Sequence, residues 1–123
     1  MKFVQLLCAL LLCLAVVSAN VSPRDVSLTQ ESIGSWKQGK DIISQYSVTI
    51  NNHTNKVITS IHIGTDHSLT LRLPSDIWNI ERLSNGDLTL AKGQTIAAHS
   101  STTFYFILKG THRANLVVKS VQY

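Results

Sequence analysis

The stretch SIGSWKQGKDIISQYSVTINN, residues 32–52, spells out one side of a β-hairpin and most of the other. Lys37-Gln38-Gly39-Lys40 has hairpin-turn chemistry: polar residues around a glycine that accepts a positive φ. After it, Tyr46, Val48 and Ile50 fall on one face and Gln45, Ser47 and Thr49 on the other. That period of two is the signature of a half-buried strand, predicted over Ile43–Asn51. Trp36, one of two tryptophans, sits beside the turn, where a large apolar ring is costly to leave in water unless it has a use.

The same alternation extends in both directions. Upstream, Asp25–Ile33 places Val26, Leu28 and Gln30 opposite Ser27, Thr29 and Glu31, a first strand. Downstream, Lys56–Gly64 reads as a strand with Val57, Thr59, Ile61 and Ile63 on one face. Ser68–Leu73 follows with Leu69, Leu71 and Leu73 in register, and Pro74-Ser75-Asp76 stops it. Trp78, Ile80 and Arg82 share a face of the next segment, and Asn85-Gly86 is a strong hairpin dipeptide across which Asp87–Leu90 pairs back. His99–Lys109 sets Phe104, Phe106 and Leu108 against Thr103, Tyr105 and Ile107, and Ala114–Tyr123 closes the chain as a valine-rich strand. No segment keeps helical periodicity. About eight short strands with regular turn signals predict an all-β fold: a single antiparallel β-sandwich, immunoglobulin-like or jelly-roll-like, over residues 25–123.

The amino terminus has a different composition. A lysine, an apolar leucine-rich run from Phe3 to Val17 and the small residues Val17-Ser18-Ala19 predict a secretory signal peptide over residues 1–19. The run is shorter than a spanning helix needs, so no membrane association is expected after cleavage. Residues 20–24 form a short lead-in. Cys8 and Cys13, the two cysteines of the chain, leave with the signal, so the domain is expected to have no disulfide. Losing Lys2 lowers the formal charge from +4 to +3, an excess too small and too scattered in sequence to suggest nucleic acid. Extracellular destination makes Asn52-His53-Thr54, placed in a turn after the second strand, an N-glycosylation candidate at Asn52.

Catalytic constellations are not evident. The seven mature acids, Asp25, Glu31, Asp41, Asp66, Asp76, Glu81 and Asp87, fall mostly in or beside turns, where solvated side chains are expected, rather than as the converging pair that glycoside hydrolysis needs. The serines lie in no strand–turn–helix elbow. The five histidines have no metal-ligand spacing, so neither metal nor cofactor is expected and they read as surface residues. Among the aromatics, Phe104 and Phe106 belong to a core alternation, and Tyr46 shares the phase of Val48 and Ile50. Trp36 and Trp78 instead adjoin polar turn residues. Held flat on strands, they suit stacking on the apolar face of a sugar ring, with Gln45 and Asn79 able to meet hydroxyls; they equally suit packing between two sheets.

The order of these motifs resembles carbohydrate-binding module family 49. It runs through SxxxSW, a glycine turn, QYSVTINN, VITSIHI, a tryptophan after a proline-led break, GQTIAAHSSTTFYFIL and a closing valine-rich strand. The resemblance covers Asp25–Tyr123. It implies a secreted, non-catalytic β-sandwich that binds cellulose or a related β-glucan in a wall, coat or matrix. Trp36 and Trp78 match the family's two sugar-stacking tryptophans, and Tyr46 matches the aromatic opening its second long strand. One departure stands out: where plant members carry a tyrosine pair after the turn, this chain has Ile42-Ile43-Ser44. Weaker binding, or a different glucan, is the expected result. The alternative is a secreted sandwich with an adhesive or structural role and no carbohydrate ligand, since a fold does not set a function.

Overall fold

The computed structural model describes residues 21–123; the predicted signal peptide and both cysteines lie outside them. Eight strands are present: β1 (Val26–Gln38), β2 (Asp41–Asn52), β3 (Ser60–Gly64), β4 (Ile77–Trp78), β5 (Glu81–Arg82), β6 (Leu88–Thr89), β7 (Ser101–Lys109) and β8 (Val117–Gln122). They form two four-stranded antiparallel sheets, ordered β1-β2-β7-β4 and β5-β6-β3-β8, packed as a sandwich with no helix among the described residues.

The β1–β2 hairpin is the longest element pair. Gln38 faces Asp41 across a two-residue turn, and Gly39 has φ 63°, the positive value that a tight hairpin of this hand demands at its first central position. The strands then pair without interruption to a β-bulge, where Ser32 faces Tyr46 and Gly34 faces Gln45, leaving Ile33 as the extra residue. The bulge reverses the phase of β1. Val26, Leu28 and Gln30 point toward the second sheet, yet Trp36, of the same parity, pairs with Ile43 on the outer face.

Between the sheets, register pairs become packing pairs. Tyr46 faces Phe106 and Val48 faces Phe104 across β2–β7, and the Tyr46 and Phe106 rings stack with centroids 5.9 Å apart. Ile61, Ile63, Leu88 and Val118 from the other sheet close on them. Burying one such side chain contributes about 1.5–3 kcal/mol. Without a disulfide among the described residues, this apolar layer is what holds the two sheets together.

The chain departs from the simple alternation in three places. Val57 is exposed and Ile58 fully buried, because residue 58 pairs with Ile96 before β3 begins and is out of phase with it. Residues 68–73 form no full strand: only Leu71 bridges to Leu108, and Leu73 is left exposed. Trp78, Ile80 and Arg82 do not share a strand. Asn79, with φ 64°, turns the chain out of one sheet and into the other, so that β4 and β5 lie in different layers and Ile80 packs against the core. At Asn85-Gly86 the hairpin forms as expected; Gly86 takes the positive φ of 93°, and Leu83 N–H donates to Asp87 O at 2.7 Å.

Buried polar groups tie the loops to this frame. Asn52 was expected on an exposed turn; it is instead the last residue of β2 and 2% exposed. Its Nδ2 donates to the carbonyls of Lys56, Ala97 and Ile96 at 2.8, 3.0 and 3.2 Å, and its Oδ1 accepts from Thr54 N and Thr54 Oγ1 at 3.0 and 2.7 Å. A glycan on that nitrogen would displace this network and has no room in the fold. Gln30 acts like a short strand: its Nε2 donates to Ala114 O at 2.8 Å while its Oε1 accepts from Ala114 N at 3.0 Å. Asp76 and Asp87, expected in solvent, are both 5% exposed. Asp87 accepts from His62 Nε2 at 2.7 Å, Lys119 Nζ at 3.2 Å and Thr65 N at 2.9 Å. His62 is therefore a framework partner rather than a free surface histidine.

Two stability tests follow from these contacts. Asn52→Ala leaves several backbone groups unsatisfied and is expected to destabilise the domain by about 2–4 kcal/mol, read from urea unfolding; an unchanged midpoint would contradict the assigned role. Mass spectrometry of the secreted protein should find no glycan at Asn52. The Asp87 carboxyl is held well below the ordinary carboxylate range, first by the hydrogen bond from His62 and then by the backbone N–H of Thr65. A depressed folded-state value contributes stability that is present above the unfolded value and lost as pH falls below about 4. Asp87→Asn should therefore be less stable than the parent at neutral pH, with the difference narrowing in acid.

Candidate functional site

The outer face of the β1-β2-β7-β4 sheet carries three exposed aromatics, while a fourth, Tyr123, follows β8 of the other sheet. One cross-strand row runs Glu31, Ser47, Tyr105, Trp78; the next runs Gly34, Gln45, Ile107; the third runs Trp36, Ile43, Lys109. Trp36 is 38% exposed, Trp78 43% and Tyr105 37%, enough for each ring to offer a surface while its base stays anchored. Ile43 and Ile107 stand on this same outer face, and both are buried although neither belongs to the cluster between the sheets. They form an apolar floor of their own. Three strand spacings and four residues separate the two tryptophans, so their Cα atoms lie about 20 Å apart on a diagonal, at about 4.8 Å per strand and 3.3 Å per residue.

The diagonal is populated. Gln45 lies one strand and one row from Trp36 and, equally, one strand and one row from Tyr105, which sets this residue midway between them on the sheet. Gly34, its neighbour on β1, contributes no side chain to the row. The result is a shallow face of aromatic rings with one amide between them, in contrast to the deep cleft in which bond-breaking groups converge.

Two elements hold the tryptophans in place. Trp36 is on the β1–β2 hairpin, fixed outward by the bulge. Trp78 follows the loop 70–76, which runs beside β7 through hydrogen bonds from Arg72 N to Ile107 O, Lys109 N to Thr70 O and Ile107 N to Asp76 O at 3.0, 2.9 and 3.0 Å. Inside the loop, Arg72 grips Asp76 through Nε–Oδ2 at 2.7 Å and Nη2–Oδ1 at 3.2 Å, and Leu73 N–H donates to the same carboxylate at 3.0 Å. The Arg72 guanidinium keeps the Asp76 carboxyl below its usual range. Arg72 Nη1 also donates to Gln38 Oε1 at 3.2 Å, linking the loop of Trp78 to the hairpin of Trp36.

The residues expected from sequence are distributed unevenly over this face. Trp36, Trp78 and Gln45 share it. Tyr46 does not: it points inward, is 5% exposed, stacks on Phe106 and donates its hydroxyl to Thr111 O at 3.0 Å, so its ring is unavailable to a ligand. Asn79 flanks Trp78, but its Nδ2 donates to Thr103 O at 2.6 Å and so stabilises the left-handed corner first. Tyr105 is the residue that sequence reasoning left without a role. Its signal was present in its phase, opposite to Phe104 and Phe106. Of the Ile42-Ile43-Ser44 departure, Ile42 is exposed, Ile43 floors the outer face, and Ser44 turns inward to bond Ser35 and Gly110.

The buried acids each have their own partners, Arg72 for Asp76, and His62 with Lys119 for Asp87. No group of three or more His, Cys, Asp or Glu side chains among the described residues is arranged to hold a metal ion.

The chain has relatives among known proteins. Stalk-specific protein A of Dictyostelium discoideum is 46% identical over 105 residues, covering 80% of this chain and 67% of that protein. Stalk-specific protein B of the same organism is 44% identical over 105 residues, with the same coverage. Residues 26–109, which include the bulged hairpin, both tryptophans and all of β7, match the family described as carbohydrate binding domain CBM49. The chain belongs to the CBM49 family of carbohydrate-binding domains.

Proposed function

We propose that this protein is a secreted, non-catalytic module that binds cellulose or a related β-glucan in an extracellular wall, coat or stalk matrix. The observation that supports it is the alignment of Trp36, Tyr105 and Trp78 on one outer sheet face over an apolar floor. A β-linked glucan presents flat apolar ring faces with hydroxyls at its edges. Stacked rings supply affinity, at about 1–3 kcal/mol each by analogy with base stacking, and Gln45 meets hydroxyls between them. A broad, shallow face suits the ordered surface of a polymer, whereas a chain end or a single chain is better held in a groove. Membership of a carbohydrate-binding family and the stalk-specific relatives support the same ligand class and setting.

The test is retention of the secreted domain on microcrystalline cellulose, with chitin and a β-1,3-glucan alongside. Cellulose or the β-1,3-glucan is expected to retain it. Retention on none of the three would leave the adhesive or structural reading in its place. Trp36→Ala, Trp78→Ala and Tyr105→Ala should each weaken binding by about 5- to 150-fold, the equivalent of one lost stack, with unfolding midpoints little changed. Tyr46→Phe should keep binding and lose only stability, because its ring faces the core. Full retention in a Trp36→Ala, Trp78→Ala double variant would move the site elsewhere on the molecule.

A further inference from the structure

Residues 21–123 carry ten Lys and Arg against seven Asp and Glu, a net charge of +3 that looks dispersed along the sequence. Folding gathers it. Lys37 and Lys40 flank the β1–β2 turn, and Lys109 ends β7 in the same cross-strand row as Trp36 and Ile43. Lys109 and Asp41 line two adjoining concavities at this pole, one with Ile43 and Arg72 and the other with Lys40 and His112. Arg72 is neutralised by Asp76. Asp41 is the one other acid that lines these concavities, and Lys37, Lys40 and Lys109 form no ion pair among the described residues. Two of the three net charges therefore lie at one pole, beside the first ring of the aromatic face.

From this arrangement we propose that the hairpin pole reads negative charge on the polysaccharide, so that the preferred ligand is an acidic glucan carrying carboxylate or sulfate groups. The proposal rests on the carbohydrate-binding reading of the adjacent face and adds the chemistry of its substituents. Trp36 stacks on a sugar ring, and Lys109, about 10 Å away across two strands of the same row, meets an acidic substituent on that chain or its neighbour. Lys40 in the turn and Lys37, which pairs with Ile42 on the reverse face of the hairpin, extend the positive field beyond the sheet. Ammonium groups on flexible stems act as point charges and suit either a planar carboxylate or a tetrahedral sulfate. Net positive charge beside a stacking face also raises the rate of encounter with an anionic surface, with a strong dependence on ionic strength.

The experiment compares three solids made from one cellulose: unmodified, oxidised at C6 to carry carboxylates, and lightly sulfated. The full secreted protein is titrated onto each at about 0.01 M and about 0.5 M salt, which span Debye lengths from far beyond to well within the lysine separations. Tighter binding to one or both charged solids is expected at low salt, by about fivefold or more, collapsing at high salt. Lys37→Gln, Lys40→Gln, Lys109→Gln together should abolish that preference while keeping binding to unmodified cellulose. A charge-matched control, Arg24→Gln, Lys56→Gln, Lys92→Gln, should keep the preference. Absence of preference in the parent overturns the proposal, as does its survival in the first triple variant or its equal loss in the control. Failure of the parent to bind any of the three solids also overturns the proposal, and retention on the β-1,3-glucan then tells whether the carbohydrate reading stands without it.

Discussion

One extra residue in an edge strand governs the arrangement of the candidate binding face. A regular strand through residues 26–38 would set Trp36 on the side of Val26 and Leu28, between the sheets. Ile33 breaks that regularity: pairing passes from Ser32–Tyr46 directly to Gly34–Gln45, and everything beyond is turned over. The indole emerges on the outer face, opposite Ile43. The same bulge interrupts the free edge of β1, which would otherwise present thirteen residues of unpaired backbone to other chains. Both consequences come from the addition of one peptide unit to one side of a ladder.

Once Trp36 faces outward, the remaining geometry depends on coupling it to the far edge of the sheet. Arg72 supplies that coupling, with its ionic contacts to Asp76 in the loop before Trp78 and its contact to Gln38 at the hairpin turn. Paired charges are a poor source of net stability, because desolvation offsets much of their attraction. Their value here is geometric: a bidentate contact holds a loop of little regular structure in one conformation. Asn79 then turns the chain away immediately after Trp78, so the ring ends the sheet instead of running on toward the core.

The face that results is unlike a catalytic cleft in both shape and chemistry. Its rings run diagonally from Trp36 to Tyr105 and then along one row to Trp78, its floor is aliphatic, and Gln45 stands between Trp36 and Tyr105. Of the acids, Asp76 and Asp87 are occupied as anchors for loops, and Glu31 stands exposed at the β1 edge of the face. Three of the lysines that form no ion pair among the described residues, Lys37, Lys40 and Lys109, collect at the hairpin end, giving the face an apolar length and a charged terminus. On the proposed reading, such a surface would recognise an extended polymer by the repetition of weak contacts, each individually modest, and by the charge of what the polymer carries.

The layered β fold was legible in the sequence because its physics is local. Alternation of Tyr46, Val48 and Ile50, or of Phe104, Phe106 and Leu108, follows from the pleat of a strand with one side in water. Gly39 and Gly86 mark turns for an equally local reason, a positive φ. Tertiary structure decided what local pattern does not encode. A bulge depends on how two strands pair, so the face of Trp36 was open until β2 was laid beside β1. Tyr105, outward by its phase, became the neighbour of Trp78 because β4 pairs with β7, and Asn52 became a buried anchor because Ala97 and Ile96 came to its amide from across the fold. Lys37, Lys40 and Lys109 are up to 72 positions apart in sequence and share one pole because β2 and β7 are neighbours. Which residues are strand is set by neighbours along the chain; which residues act together is set by neighbours in space.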